Sequence, residues 1–230
     1  MHQLRRLWDP ARVSTDPFTR LEPVSRRFGM DRGLPLDRYY IERFLAAHAA
    51  DVHGRVLEIG DPGYTRRFGG DRVTRSDVLG ARPGMPAVTI VGDLTRPDGL
   101  PLGCYDCVIL TQTLPFIYDV GAAVRTVHLM LRPGGVLLAT APVISHISRY
   151  DMDRWGDFWR LTDLALRRLL ETVFPPAAVT VAAHGNVRVA AAFLYGLVVE
   201  DLPPEALAVD DPDYPLVVTA RAVTSQACDR

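Results

Sequence analysis

Three short apolar runs in the first half of the chain each end on residues able to hold a polar ligand: Glu58-Ile59-Gly60-Asp61-Pro62-Gly63-Tyr64, then Asp77, then Gly92-Asp93-Leu94. Carboxylates accept hydrogen bonds from hydroxyls and amines, and a glycine, lacking Cβ, lets a ligand approach the backbone. Further along, Ser145 to Trp155 is dense in groups for proton transfer. His146 titrates near neutrality and is the first candidate for a base; Asp151 and Asp153 follow, as base or hydrogen-bond acceptors. Tyr150, Trp155, Phe158 and Trp159 are candidates to wall a pocket for the reacting molecule. A structural account of each exists: an Asp after a strand caps the next helix or turns the chain, and His146 bonds backbone in a capping loop. Glu58, Asp77 and Asp93 in order favour the ligand account over separate caps.

These residues need elements to bring them together. Pro35 and Asp37 read as a helix start, Asp37 capping, with Ile41, Phe44, Leu45 and His48 at helical spacing and Gly54 as the stop. Strands are expected at Arg55–Ile59, Val73–Leu79, Ala87–Val91, Tyr105–Thr111 and Val136–Ala141. Helices are expected at Val120–Leu131, closed by Arg132-Pro133-Gly134-Gly135, and at Leu161–Phe174, stopped by Pro175-Pro176. Strands at Val179–Ala183 and Leu216–Val223 flank a helix-like Val187–Leu197. Apolar strands alternating with helices predict an α/β fold, a Rossmann-like doubly wound sheet that is mostly parallel, closed by an antiparallel C-terminal edge hairpin. In such a sheet ligands bind beyond the carboxyl ends of the strands, at the switch in strand order. That rule adds Gln112 and Thr113, after the fourth strand, to the candidates. The layout is an N-terminal arm over 1–36, one domain over 37–224 and a tail over 225–230.

At 230 residues the chain is long enough for one sizeable core. Its formal net charge of -1 offers no global attraction to nucleic acid or to an anionic membrane, and no apolar run suits a bilayer span or a secretory signal; a cytoplasmic protein is the expectation. All 26 basic residues are arginine, which excludes Schiff-base chemistry and a phosphate-loop lysine. Of the three cysteines, Cys104 and Cys107 form a C-x-x-C at the start of a buried strand, with no second pair to complete a zinc site; packing is the simpler account. Asp151, Asp153 and Asp157 could hold a divalent cation, but Arg149, Arg154 and Arg160 crowd them and ion pairing is simpler, so no metal is expected. Arg20, Arg26, Arg27, Arg32 and Arg38 could meet phosphates, although interspersed acids favour a salt-bridged arm. The Tyr39-Tyr40 pair either closes over a ligand or packs on the sheet.

Val56-Leu57-Glu58-Ile59-Gly60 resembles the first motif of class I S-adenosylmethionine-dependent methyltransferases. Tyr105-Asp106-Cys107-Val108-Ile109-Leu110 is similar to their fourth strand, and Leu131-Arg132-Pro133-Gly134-Gly135-Val136-Leu137-Leu138 to their junction into the fifth. Asp157-Phe158-Trp159-Arg160-Leu161-Thr162 resembles a downstream stretch of the type-11 group. The resemblance covers about Gly54 to Phe174. It implies S-adenosylmethionine as cofactor, with Asp77 on the ribose hydroxyls, Asp93 and Leu94 at the adenine, and Glu58, Gly60, Asp61, Gly63 and Gln112 completing the site. Glycines are expected two and four residues after Gly60, where this chain has Pro62 and Tyr64; proline fixes φ and removes a donor, so the loop takes another path.

Three functions follow as expectations. The first is methylation, at oxygen, of a small molecule or glycan, the acceptor deprotonated by His146. The second is an accessory or binding protein that keeps the fold, motivated by Pro62 and Tyr64. The third is a different reaction in the same crevice.

Overall fold

The structure, a computed structural model, describes residues 20–226; Cys228 and the arm before Arg20 lie outside it. Seven strands pair into one sheet in the order β3-β2-β1-β4-β5-β7-β6. The first five are β1 (Gly54–Ile59), β2 (Val73–Gly80), β3 (Ile90–Val91), β4 (Tyr105–Thr111) and β5 (Leu131–Pro142); they pair with one another in parallel. β7 (Val217–Val223) enters between β5 and the edge strand β6 (Val179–His184), antiparallel to both. The doubly wound sheet with an antiparallel edge pair is the architecture expected from the strand pattern.

Alternation along the strands decides which helix covers which face. On β4, Cys107 and Ile109 join a core with α1 (Leu36–Ala47), α5 (Val187–Leu194) and α6 (Pro204–Ala208). Val108 and Leu110 point the other way, into a core with α2 (Val120–Met130) and α4 (Asp163–Leu170). Both faces are thus dry, which is why β4 reads as a continuous apolar run. Four helices begin on side-chain caps, among them the short α3 (Arg149–Met152), where Ser148 accepts from Asp151 N at 3.4 Å. Asp119 accepts from Ala122 N at 2.8 Å, Thr162 from Ala165 N at 3.1 Å, and Asn186 from Arg188 and Val189 N, each at 3.1 Å.

Several boundaries differ from expectation, each for a local reason. α1 starts two residues earlier than a cap at Asp37 would place it, on Pro35 without a side-chain cap; Asp37 lies in its first turn and accepts Arg38 N at 2.9 Å. β3 is only two residues long, because Val88 N turns back to Met85 O and Thr89 bonds Val78 on β2. β5 begins at Leu131 rather than Val136, the strand pairing with Tyr105 as soon as α2 ends. α4 covers 163–170 only, since Leu161 N is tied to Pro142 O at the sheet rim. α5 stops at Leu194, two residues before Gly196, whose φ of 71° leaves the helical region. Residues 20–35 do not trail freely: Val24 N bonds Tyr195 O at 2.7 Å, and Arg32 pairs with Asp201 at 2.9 Å.

Candidate functional site

Strand order reverses between β1 and β4, and the carboxyl ends of the strands there open into two adjoining hollows. The larger, about 700 Å³, runs over the ends of β1, β2, β3 and β4, within the ~300–1,000 Å³ usual for small-molecule sites. Ile59 and Gly60 form its floor, with Leu79, Gly80 and Ala81 beside them and Asp93, Leu94 and Thr95 at the far end. A strap from the segment after β5 adds Arg154, Trp155 and Phe158 to its wall. The strap is anchored across the opening: Arg82, from the loop after β2, stacks on Trp155 at 4.5 Å and donates to Arg154 O at 3.1 Å.

The sequence-derived ligand residues divide into those that line this hollow and those that build it. Gly60, Asp93, Leu94 and Gln112 line it. Gly60 has φ 87°, and a Cβ built there meets nothing within 4 Å, so it turns the chain while leaving the rim clear. Asp93 takes Thr95 N and Oγ1 on one oxygen, both at 2.8 Å, which leaves Oδ2 as the remaining acceptor. Glu58 is buried and accepts the N–H groups of Tyr64 and Thr65 at 3.1 and 2.7 Å. Burial raises its carboxyl above the usual range, with those two donors opposing. It holds the loop in place and does not line the hollow. Asp61 and Gly63 do not line it either: Asp61 is exposed and accepts Gly63 N at 2.8 Å in a local turn. Pro62 is buried under the loop and Tyr64 turns away to receive Arg38, 3.1 Å from its hydroxyl.

Asp77 requires a correction. It lies opposite Leu57, inside the sheet, with Leu79 on the same strand face between it and the rim. Arg55 Nη2 and Nε bind its Oδ2 at 2.8 and 2.9 Å, Tyr105 Oη donates to the same oxygen at 3.1 Å, and Arg75 reaches Oδ1 at 3.2 Å. Burial would raise this carboxyl, but those donors outweigh it and hold it below the usual range. An apolar environment keeps a carboxylate ionised only when it is paired in this way. Asp77 is therefore a structural ion-pair centre, and the rim of β2 presents Gly80 and Ala81 instead of an acid.

The smaller hollow, about 260 Å³, adjoins the first at Gln112, Phe116 and Asp151, which line both. His146 lines it, its ring stacked on Phe28 at 3.9 Å. Burial and the nearby Arg160 charge hold the imidazole below its usual pKa, so it is neutral, and able to accept a proton, at neutral pH. Asp151 lies between the hollows and receives Ser148 Oγ at 2.5 Å. Asp153 is exposed and lines neither hollow. Arg160 holds the loop: it grips Asp157 through both terminal nitrogens, at 2.6 and 3.0 Å, and donates to the carbonyl of His146 at 2.9 Å. Asp151, Asp153 and Asp157 thus have separate environments, and among the described residues no three His, Cys, Asp or Glu are grouped to hold a metal.

Sequence reasoning missed Phe28, Asp37 and Arg38 as members of this hollow. The helix-start pattern hid Asp37 behind the role of a cap, and Arg38 among arginines assigned to the arm. It also misplaced the aromatics. Trp155 and Phe158 line the larger hollow, while Trp159 donates its indole N–H to Ile117 and Tyr118 carbonyls at 3.1 and 3.2 Å. Tyr40 packs in the core, its hydroxyl on Leu207 O, and Tyr39 meets it edge-on.

No family model matches the chain, and no curated protein matches it in sequence. Solved structures match the fold. The N-methyltransferase NodS from Bradyrhizobium japonicum WM9, in complex with S-adenosylhomocysteine, superposes with TM-score 0.53 at 14% identity, over 84% of this chain and 89% of that one. A putative sarcosine dimethylglycine methyltransferase from Galdieria sulphuraria gives 0.52 at 14% identity, over 83% and 90%. A SAM dependent methyltransferase from Archaeoglobus fulgidus gives 0.50 at 13%, over 81% and 90%. The fold is that of class I S-adenosylmethionine-dependent methyltransferases.

Proposed function

We propose that this protein is an S-adenosylmethionine-dependent methyltransferase that methylates a hydroxyl on a small polar molecule or glycan. One observation carries the proposal: the hollow over the strand ends adjoins, at Gln112, a second hollow lined by His146. The residues fit the cofactor's parts. Asp93 Oδ2 suits the exocyclic amine of adenine, Leu94 and Phe116 offer apolar surface to the ring, and the Gly60 turn leaves space at the sulfonium end.

When bound, the cofactor supplies an electrophilic methyl group that needs an in-line nucleophile. The chain does the rest. Phe28 and the Arg160-bound carbonyl fix the His146 ring, which takes the proton as the acceptor oxygen attacks. Asp151, between the two hollows, orients acceptor hydroxyls. The strap of Trp155 and Phe158 excludes water from the reacting centre. Calorimetric titration with S-adenosylhomocysteine tests the cofactor assignment: micromolar to sub-millimolar binding is expected, and none at millimolar ligand would remove it.

The β2 rim favours a second reading. With Gly80 and Ala81 where a ribose-binding acid is expected, the protein would keep the fold as an accessory or binding component without methyl transfer. A methylated product whose formation depends on His146 would exclude this reading.

A further inference from the structure

Hydrogen-bonding capacity is left over at the junction of the two hollows, and it is exhausted in the loop beside it. Asp61 takes Gly63 N–H, and Glu58 takes those of Tyr64 and Thr65. Those three backbone donors of the glycine turn are therefore closed to a ligand carboxylate. Across from the loop, Gln112 has φ 49°, a left-handed conformation that a non-glycine residue holds only where its surroundings impose it. Its N–H is pinned to Thr140 O at 3.0 Å. Its side-chain Oε1 is buried with no partner, while Nε2 points to Asp37 Oδ2 at 3.5 Å. A buried acceptor without a donor is destabilising, and a ligand N–H would relieve it. Beside them, the Arg38 side chain makes one hydrogen bond among the described residues, to Tyr64 Oη, leaving four of its five N–H groups. Asp37 and Arg38 both line the smaller hollow and adjoin in sequence on the first turn of α1.

Two acceptors next to a guanidinium complement one chemical pattern, an ammonium with a carboxylate on the same carbon. We infer that Asp37, Gln112 and Arg38 clamp the amino-acid end of the cofactor, Asp37 and Gln112 receiving the ammonium and Arg38 the carboxylate. The inference rests on the cofactor reading above. It moves recognition of this end from the loop backbone to side chains of α1 and of the residue that follows β4. Tyr64, standing where a glycine is expected, becomes a support that orients Arg38.

Two ligands separate the clamp from the rest of the site. S-adenosylhomocysteine carries the amino-acid end; 5′-methylthioadenosine has the same nucleoside and sulfur without it. Calorimetry on the full chain should show wild type binding the first more tightly. Arg38→Ala, Asp37→Asn and Gln112→Met should each weaken S-adenosylhomocysteine about tenfold or more, the loss of a charge-assisted hydrogen bond, and leave 5′-methylthioadenosine within about twofold. Retained methylthioadenosine binding also certifies that each variant is folded, and Gln112→Met provides a test that keeps the Asp37–Arg38 pair should the α1 variants unfold. Equal losses for both ligands, or unchanged S-adenosylhomocysteine binding with a raised acceptor KM, would overturn the clamp while leaving the cofactor reading intact. If wild type binds neither ligand, the cofactor reading falls and the clamp falls with it.

Discussion

The two hollows are built by different means. The larger is made from strand ends: Gly60, Gly80, Asp93 and Leu94 lie where β1, β2 and β3 run out, at positions fixed by the register of a parallel sheet. The smaller is assembled from side chains far apart in the sequence, Phe28 and Asp37 at one end of the chain and Phe193 and Leu216 at the other. Strand ends of one fold can hold a common cofactor with little sequence detail, whereas side chains from distant segments can be changed one at a time to suit an acceptor. The larger hollow should therefore hold the cofactor's nucleoside, and the smaller both the base and, at its Asp37–Arg38 end, the cofactor's amino-acid group.

The largest effect should come from the smaller hollow. His146→Ala removes the proton acceptor and should lower kcat by ~10²–10⁴-fold with cofactor affinity unchanged, measured as methyl transfer beside calorimetry; a loss in cofactor affinity instead would erase the division between the hollows. Asp77→Ala breaks a buried ion-pair centre and should destabilise the fold by about 3 kcal/mol. The folded fraction should bind S-adenosylhomocysteine as wild type does, and tenfold weaker binding with unchanged stability would return Asp77 to the cofactor site. Because donors hold the Asp77 carboxyl below its usual range, the stability it contributes is complete above about pH 4 and lost as pH falls through the lowered value; urea unfolding across acidic pH reads this. Asp93→Ala should weaken S-adenosylhomocysteine by about tenfold, the worth of one hydrogen bond to a polar group, with kcat at saturation retained.

The smallest effect is a displaced pH limb. Burial and Arg160, opposed by Asp157 and a hydrogen bond with Arg26, lower the His146 pKa. The base works when unprotonated, so kcat should hold as pH drops past ~6.5 and decline only below it, a limb that His146→Ala abolishes. A decline centred above pH ~6.5 would assign the proton transfer to another group.

The same contrast explains what was legible in the sequence. Continuous apolar runs between helices disclosed the sheet, because both faces of β4 are buried, and the rule that ligands lie beyond strand ends led to Gly60, Asp93, Leu94 and Gln112. Asp77 misled because an acid late in a strand looks the same whether its side chain reaches the rim or turns to partners within the sheet; Arg75, two residues before it on β2, and Arg55, two before its β1 partner Leu57, were the available signal. Asp37 and Arg38 were illegible as site residues because their placement depends on how α1 crosses the sheet, a tertiary fact with no local spacing. Pro62 and Tyr64 did alter the loop, as expected from proline, by closing its N–H groups on Asp61 and Glu58 rather than by filling the hollow.

A crystal structure of the protein with S-adenosylhomocysteine tests the central claim most directly. The adenine is expected beside Asp93 and Leu94, with the sulfur facing Gln112 and the opening into the His146 hollow. Ligand density elsewhere on the molecule, or an unfilled crevice at saturating ligand, would contradict the account.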